Sequence, residues 1–223
     1  MFTRSICFIN GLLHLITGIY SLKGIYNAFL TPDENFDLYK YNFTVENLAI
    51  IAYCFDIFVS FSNHKVLSRC RYVSDLYYHH IPVLLLFILT IPTRYNYDPI
   101  NNCENLAIFR LMQVSVCFAL VSEFNESIMS FQYSQISPEF FCSRIVMNIE
   151  YLIKIVYFSF FTLFSNLFYL VALILSFIEG NFSILNCLRF VIFALFCILN
   201  YPKMFSNALN KFIEGPKVPY DCD

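Results

Sequence analysis

Two adjacent histidines follow an acid in the stretch DLYYHH, residues 75 to 80, which opens an apolar segment. Asp75 and His79 are four residues apart, so on a helix the carboxylate would hold one imidazole nitrogen and orient the other. His80 would point about 100° further round the same helix. Such histidines suit proton transfer to or from a lipid hydroxyl, an amine or a thioester intermediate. The alternative is an interfacial anchor shared with the neighbouring Tyr77 and Tyr78.

Ionisable residues deep in other apolar segments are the second group of candidates, because charge inside a bilayer is costly and is usually functional. Asp56 lies in AIIAYCFDIFVSF with no cation close by on its own helix, and Lys154 in EYLIKIVYF is a candidate partner. This pair would either fix helix packing or take part in catalysis. Glu123 follows an uninterrupted apolar run, and Asn125 adds hydrogen-bonding capacity beside it.

His14 lies four residues after Asn10, hence on the same face of the first apolar segment. An interhelical hydrogen bond explains this histidine as well as catalysis does. Adjacent histidines on a helix do not readily chelate one ion, and no histidine spacing typical of a metal site occurs. We therefore expect neither a metal nor a cofactor.

The composition indicates that these residues are positioned by membrane helices. The chain is 58% hydrophobic and 13% charged, with a mean hydropathy of +0.61. A bilayer needs about 20 mostly apolar residues per helix. The net charge of -2 argues nothing about nucleic acid, but no basic arm exists to neutralise phosphates, so we expect no nucleic-acid partner. We predict an all-α membrane protein with about six transmembrane helices, near residues 5–23, 43–62, 76–92, 106–122, 145–178 and 184–204.

Short loops predict the orientation of these spans. Loop 63–74 carries Lys65, Arg69 and Arg71 and no acid, so the positive-inside rule places it in the cytosol. Both termini are then cytosolic. The double histidine, Glu123 and Asp56 are expected at similar depth on the cytosolic side.

Several motifs in order resemble the TLC family of membrane proteins, which includes translocation-associated membrane proteins and ceramide synthases. Asp56 and the double histidine fit the family pattern, and SEFNESIM at 122–129 is similar to its E-L-S-x-P-F element, aligned on Glu123. Lys154 stands where many members have arginine. LNYPKMF at 199–205 is similar to the family's N-x-x-W-x-x-K ending. Ser127 replaces the motif's proline, and the acids that follow the histidines in ceramide synthases are missing. The chain thus looks closer to the small TLC-domain proteins than to true ceramide synthases.

The resemblance implies a bundle or barrel around a lipid cavity, in the endoplasmic reticulum. It divides the chain into a first transmembrane helix with a lumenal loop (1–42), a TLC-like core (43–211) and a short cytosolic tail (212–223). It also implies binding or processing of acyl lipids, with ceramide-synthase-like acyl transfer at His79 and His80 as the enzymatic form. Membrane lipids, acyl-CoA and a sphingoid base or other lipid acceptor would be the partners. The alternative is a non-catalytic lipid sensor or transport accessory protein.

Overall fold

The computed structural model describes residues 2–30, 38–62, 81–82, 84–85, 88, 106–134, 137–141, 143–180 and 184–215. Within these ranges the secondary structure is helical, and no strand occurs among the described residues. The predicted all-α class is therefore confirmed for this part of the chain.

Eight α-helices are defined among the described residues. In chain order they are α1 (Phe2–Leu30), α2 (Leu38–Ser62), α3 (Leu106–Ala119), α4 (Glu123–Ser134), α5 (Pro138–Phe141), α6 (Arg144–Val156), α7 (Thr162–Ile178) and α8 (Ile184–Glu214). A 3-10 turn, Leu120–Ser122, joins α3 to α4, and a π turn, Tyr157–Phe161, joins α6 to α7. Each of these two joined pairs is therefore one continuous helical rod.

Four stretches of the described residues are long and apolar enough to cross a membrane, and they support a multi-pass integral membrane protein. They are Arg4–Phe29, Arg110–Gln132, Arg144–Ile178 and Phe190–Glu214. This number is smaller than the six spans predicted from the sequence. The predicted third span, 76–92, falls largely outside the described residues.

Helix α1 lies at the centre of the bundle, where it packs against α2, α3 and α4. Its inward face is polar: Asn10 is 1% exposed, and His14, Thr17 and Ser21 are 0% exposed. Its outward face is apolar, as at Ile19, which is 51% exposed. A helix with polar groups inside and apolar groups outside suits a lipid surrounding, because only the bundle interior offers hydrogen-bond partners.

The long apolar run from Arg144 to Ile178 stays helical through Ser165 and Asn166. The irregularity is the π turn at 157–161, and Thr162 Oγ1 donates to the Tyr157 carbonyl oxygen there at 3.2 Å. Ser165 instead fastens α7 to α3. Its hydroxyl donates to the Ser115 carbonyl oxygen at 2.9 Å, and the Ser115 hydroxyl donates to the Ser165 carbonyl oxygen at 2.8 Å. Small hydroxyl side chains let two membrane helices approach this closely.

Candidate functional site

A fully buried imidazole is held between two carboxyl groups from different helices. His14 Nδ1 on α1 lies 2.5 Å from Glu123 Oε2 on α4. His14 Nε2 lies 3.1 Å from Asp56 Oδ2 on α2. All three side chains are 0% exposed. The three residues therefore tie together the three helices that carry them, and we call them the His14 cluster.

Neighbouring polar side chains complete the hydrogen bonds of both carboxyl groups. The Tyr53 hydroxyl donates to Glu123 Oε1 at 2.5 Å. Asn10 Nδ2 donates to Asp56 Oδ1, and it lies 3.4 Å from Ser130 Oγ. All four carboxyl oxygens thus have a donor facing them, which is what makes a buried polar network stabilising rather than costly.

Helical spacing explains why α1 and α2 each contribute two side chains to this network. Asn10 and His14 are four residues apart on α1, and Tyr53 and Asp56 are three apart on α2, so each pair shares one helix face. The close approach of α1 to α4 requires glycine. A Cβ atom built on Gly11 would lie 2.7 Å from the Phe131 ring. Small residues on α1 therefore admit the helix that carries Glu123.

The protonation of the His14 cluster follows from its donors and acceptors. Carboxylates only accept hydrogen bonds, so an imidazole that bonds to two of them donates from both nitrogens. These three side chains then carry a formal charge of minus one, and one further proton on either carboxyl group makes them neutral. The arrangement fastens α1, α2 and α4 to one another. Among the described residues, no group of three or more His, Cys, Asp or Glu could hold a metal ion.

The structure brings together part of the site predicted from the sequence. Asp56 and Glu123 both bond to the His14 imidazole, which the sequence left open between an interhelical hydrogen bond and catalysis. Asp75, His79 and His80 lie outside the described residues, so the predicted double-histidine site stays a prediction. The role of His14 as the centre of the network was missed, although its shared face with Asn10, Thr17 and Ser21 is a signal visible in the sequence.

Lys154 has a different partner from the one predicted. Its ammonium bonds to the Glu150 carboxylate, one turn earlier on α6, and it lies 3.9 Å from Met129 Sδ. Asp56 is bonded by Asn10 and His14 instead. The predicted Asp56–Lys154 pair is therefore wrong, because an acid at i−4 on the same helix reaches the lysine first.

Two cavities are lined by residues of α8 and of the π turn at 157–161. The polar pocket, of about 30 Å³, is lined among others by Ser122, Asn125, Glu126, Lys154, Tyr157 and Tyr201. The lateral groove, of about 620 Å³, is an open cleft between α7 and α8. His14, Asp56 and Glu123 line neither of these two cavities. The predicted residues Asn125 and Lys154 thus belong to the polar pocket rather than to the His14 cluster.

Mostly apolar side chains line the lateral groove, for example Phe158, Leu163, Phe190, Ala194, Ile198 and Phe205. Leu163 is 62% exposed and Ile198 is 68% exposed, so the groove opens sideways onto the apolar surface of the bundle. Phe158 and Tyr201 line both cavities. The polar pocket therefore adjoins one end of the groove.

No family model, no curated protein and no solved structure matches this chain.

Proposed function

We propose that this chain is a multi-pass membrane protein of TLC type that binds acyl lipids, with the lipid tail in the lateral groove. The observation that carries the proposal is the groove itself. Its volume of about 620 Å³ lies within the range of about 300–1,000 Å³ that is usual for small-molecule sites. Its lining is mostly apolar, as the binding of a hydrocarbon chain requires.

The position of the groove favours a lipid over a soluble ligand. Both walls belong to stretches that are long and apolar enough to cross a membrane. Its rim residues Leu163 and Ile198 are among the exposed apolar side chains that a bilayer would cover. A chain already in the bilayer would reach the groove from the side without passing through water.

The polar pocket at one end favours an amphiphile over a plain hydrocarbon. An acyl lipid joins an apolar tail to a polar group, and the two adjoining cavities offer one environment for each. In this proposal the protein resides in the endoplasmic reticulum with both termini in the cytosol. It acts as a non-catalytic lipid-handling protein, because the His14 cluster is enclosed and lines neither cavity.

Acyl transfer is the second candidate function. Asp56 and Glu123 support it, because both bond to the His14 imidazole. These two residues are proposed as catalytic together with His79 and His80. In this form His79 and His80 would serve as base and oxyanion partner, with acyl-CoA as donor. Lipid profiles of cells that express either the wild type or His79→Ala/His80→Ala at matched protein level distinguish the two functions. A product that is lost only in the variant would favour the enzyme.

A fatty acyl probe with a photoreactive diazirine in its tail tests the main proposal. We expect irradiation of the protein in vesicles to label peptides of α7 and α8 that line the groove. Ala194→Phe fills the groove, so it should reduce this labelling several-fold. Leu195→Phe is the matched control, since Leu195 is 52% exposed and does not line the groove. Uniform labelling of all lipid-facing helices, unaffected by Ala194→Phe, would contradict lipid binding at this site.

A further inference from the structure

A buried oxygen next to the polar pocket needs a hydrogen-bond donor. Asn125 lines the pocket and is 3% exposed, and its Oδ1 atom accepts no hydrogen bond from the described residues. Buried polar groups in folded proteins almost always have a partner. Asn125 therefore marks the point at which a ligand would supply a donor.

The hydroxyl groups around the pocket already donate hydrogen bonds to acceptors within the protein. The Ser122 and Tyr157 hydroxyls both donate to the Ala119 carbonyl oxygen, at 3.1 and 2.9 Å. The Tyr201 hydroxyl lies 3.3 Å from that of Tyr157. Because Tyr157 has given its hydrogen to Ala119, Tyr201 is the donor in this pair. These hydroxyl hydrogens therefore have acceptors within the protein, whereas the Asn125 oxygen has no donor among the described residues.

Charged groups at the pocket also have partners. The Lys154 ammonium is bonded to the Glu150 carboxylate, and Glu126 has an interaction of its own. An anionic ligand therefore finds the Lys154 charge already paired. An uncharged group is also the cheapest to bring to this depth between membrane helices.

The small volume restricts the ligand group further. A cavity of about 30 Å³ holds one group of about the size of a water molecule. A hydroxyl fits this description, and a phosphate or a trimethylammonium group does not. The amide oxygen, the committed donors, the paired charges and the volume thus all select the same chemistry.

We propose that the polar pocket binds the hydroxyl group of a neutral long-chain lipid, and that this hydroxyl donates to Asn125 Oδ1. The inference rests on the proposed function, since the tail of the same lipid lies in the lateral groove. It makes the protein selective among acyl lipids for uncharged ones that end in a hydroxyl.

Competition against the diazirine probe tests this selectivity in the intact protein. The competitors are a long-chain alcohol, its methyl ether, and the amine and the carboxylic acid of equal chain length. We expect the alcohol to displace the probe at roughly tenfold lower concentration than the ether, because only the alcohol donates a hydrogen bond to the buried oxygen. The amine and the acid should compete less well than the alcohol.

Asn125→Leu removes the acceptor and keeps the branching of the side chain. We expect this variant to lose the preference for the alcohol over the ether while it keeps the labelling of the groove. Asn148→Leu is the matched control, since Asn148 Oδ1 is also buried without a partner but Asn148 lines neither cavity. This control should keep the preference.

The outcomes separate the two proposals. If the groove is labelled but the wild type does not distinguish alcohol from ether, or prefers the amine or the acid, the hydroxyl site is refuted and lipid binding stands. If the groove is not labelled in the wild type, the proposed function itself fails. The comparison of competitors on the wild type holds even if Asn125→Leu does not fold.

Discussion

At the scale of single residues, the His14 cluster shows how a membrane bundle accommodates charge. The His14 imidazole bonds to one oxygen of each carboxyl group. The Tyr53 hydroxyl and the Asn10 amide donate to the two remaining carboxyl oxygens. Each of these hydrogen bonds joins two different helices. The free energy of this network therefore depends on all three helices being present.

Removal of His14 should destabilise the protein strongly. His14→Leu leaves Asp56 and Glu123 buried without their shared donor, and breaking a buried pair typically lowers the free energy of unfolding by about 3–5 kcal/mol. Thermal unfolding of the purified protein in detergent measures the effect. Lys23→Met, at an exposed position of the same helix, is the control and should change little.

A double variant tests whether His14 and Asp56 act as a pair. His14→Leu/Asp56→Leu should cost less than the sum of the two single variants, because the second change removes a charge that the first left unpaired. Strictly additive losses would show that the two side chains do not interact.

Sequence reasoning reached some of these residues and not others, for identifiable reasons. Asp56 and Glu123 stand out because a carboxylate in an apolar run needs an explanation whatever its partner. The partner of each carboxylate depends on which helices are neighbours in the fold, and the amino-acid sequence does not show this. Lys154 was paired across helices because Glu150, one turn away, was overlooked.

At the scale of helices, the His14 cluster depends on the close approach of α1 to α4. Gly11 and Gly18 on α1 face the rings of Phe131 and Phe124 on α4. The Phe131 ring is itself stacked on Phe141, with ring centroids 4.9 Å apart, so it has little room to move. The helical class and the apolar spans were predictable from composition. The π turn at 157–161 was not, because nothing in its residue types distinguishes it from ordinary helix.

A single added methyl group should loosen this contact. In Gly11→Ala the new Cβ would lie 2.7 Å from the Phe131 ring, and overpacking of this kind usually costs about 1–3 kcal/mol. Gly18→Ala, where the nearest ring atom is 3.0 Å away, should lower the unfolding temperature less. Gly11→Ala/Phe131→Leu restores space and should recover part of the loss. Equal melting temperatures for the wild type and Gly11→Ala would contradict the packing described for α1 and α4.

At the scale of the whole molecule, the bundle separates two kinds of polar site. The His14 cluster is enclosed between α1, α2 and α4, whereas residues of α8 and of the π turn line both the polar pocket and the lateral groove. The first holds helices together and the second is open to a ligand. In the proposed orientation, the basic loop 63–74 faces the cytosol and loop 93–105 faces the lumen.

Engineered glycosylation sites test this orientation. Asn42→Gln and Asn181→Gln first remove two native acceptor sequences, N-F-T at 42–44 and N-F-S at 181–183. A tag inserted in loop 93–105 should then be glycosylated, and the same tag in loop 63–74 should not. Modification of the second tag alone would reverse the proposed topology. Gel mobility with and without a glycosidase is the measurement.

The separation of His14 and Glu123 along the chain has a consequence for how the protein is made. The two residues are 109 positions apart, and Asp56 comes 42 positions after His14. At a synthesis rate of about 5–20 residues per second, α1 waits about 5–20 s for its partner on α4. During that interval its polar face has no complete set of partners in the bilayer. The newly made helix must therefore stay beside the insertion machinery or at the lipid headgroups, and the ribosome's pace sets the earliest moment at which the bundle can close.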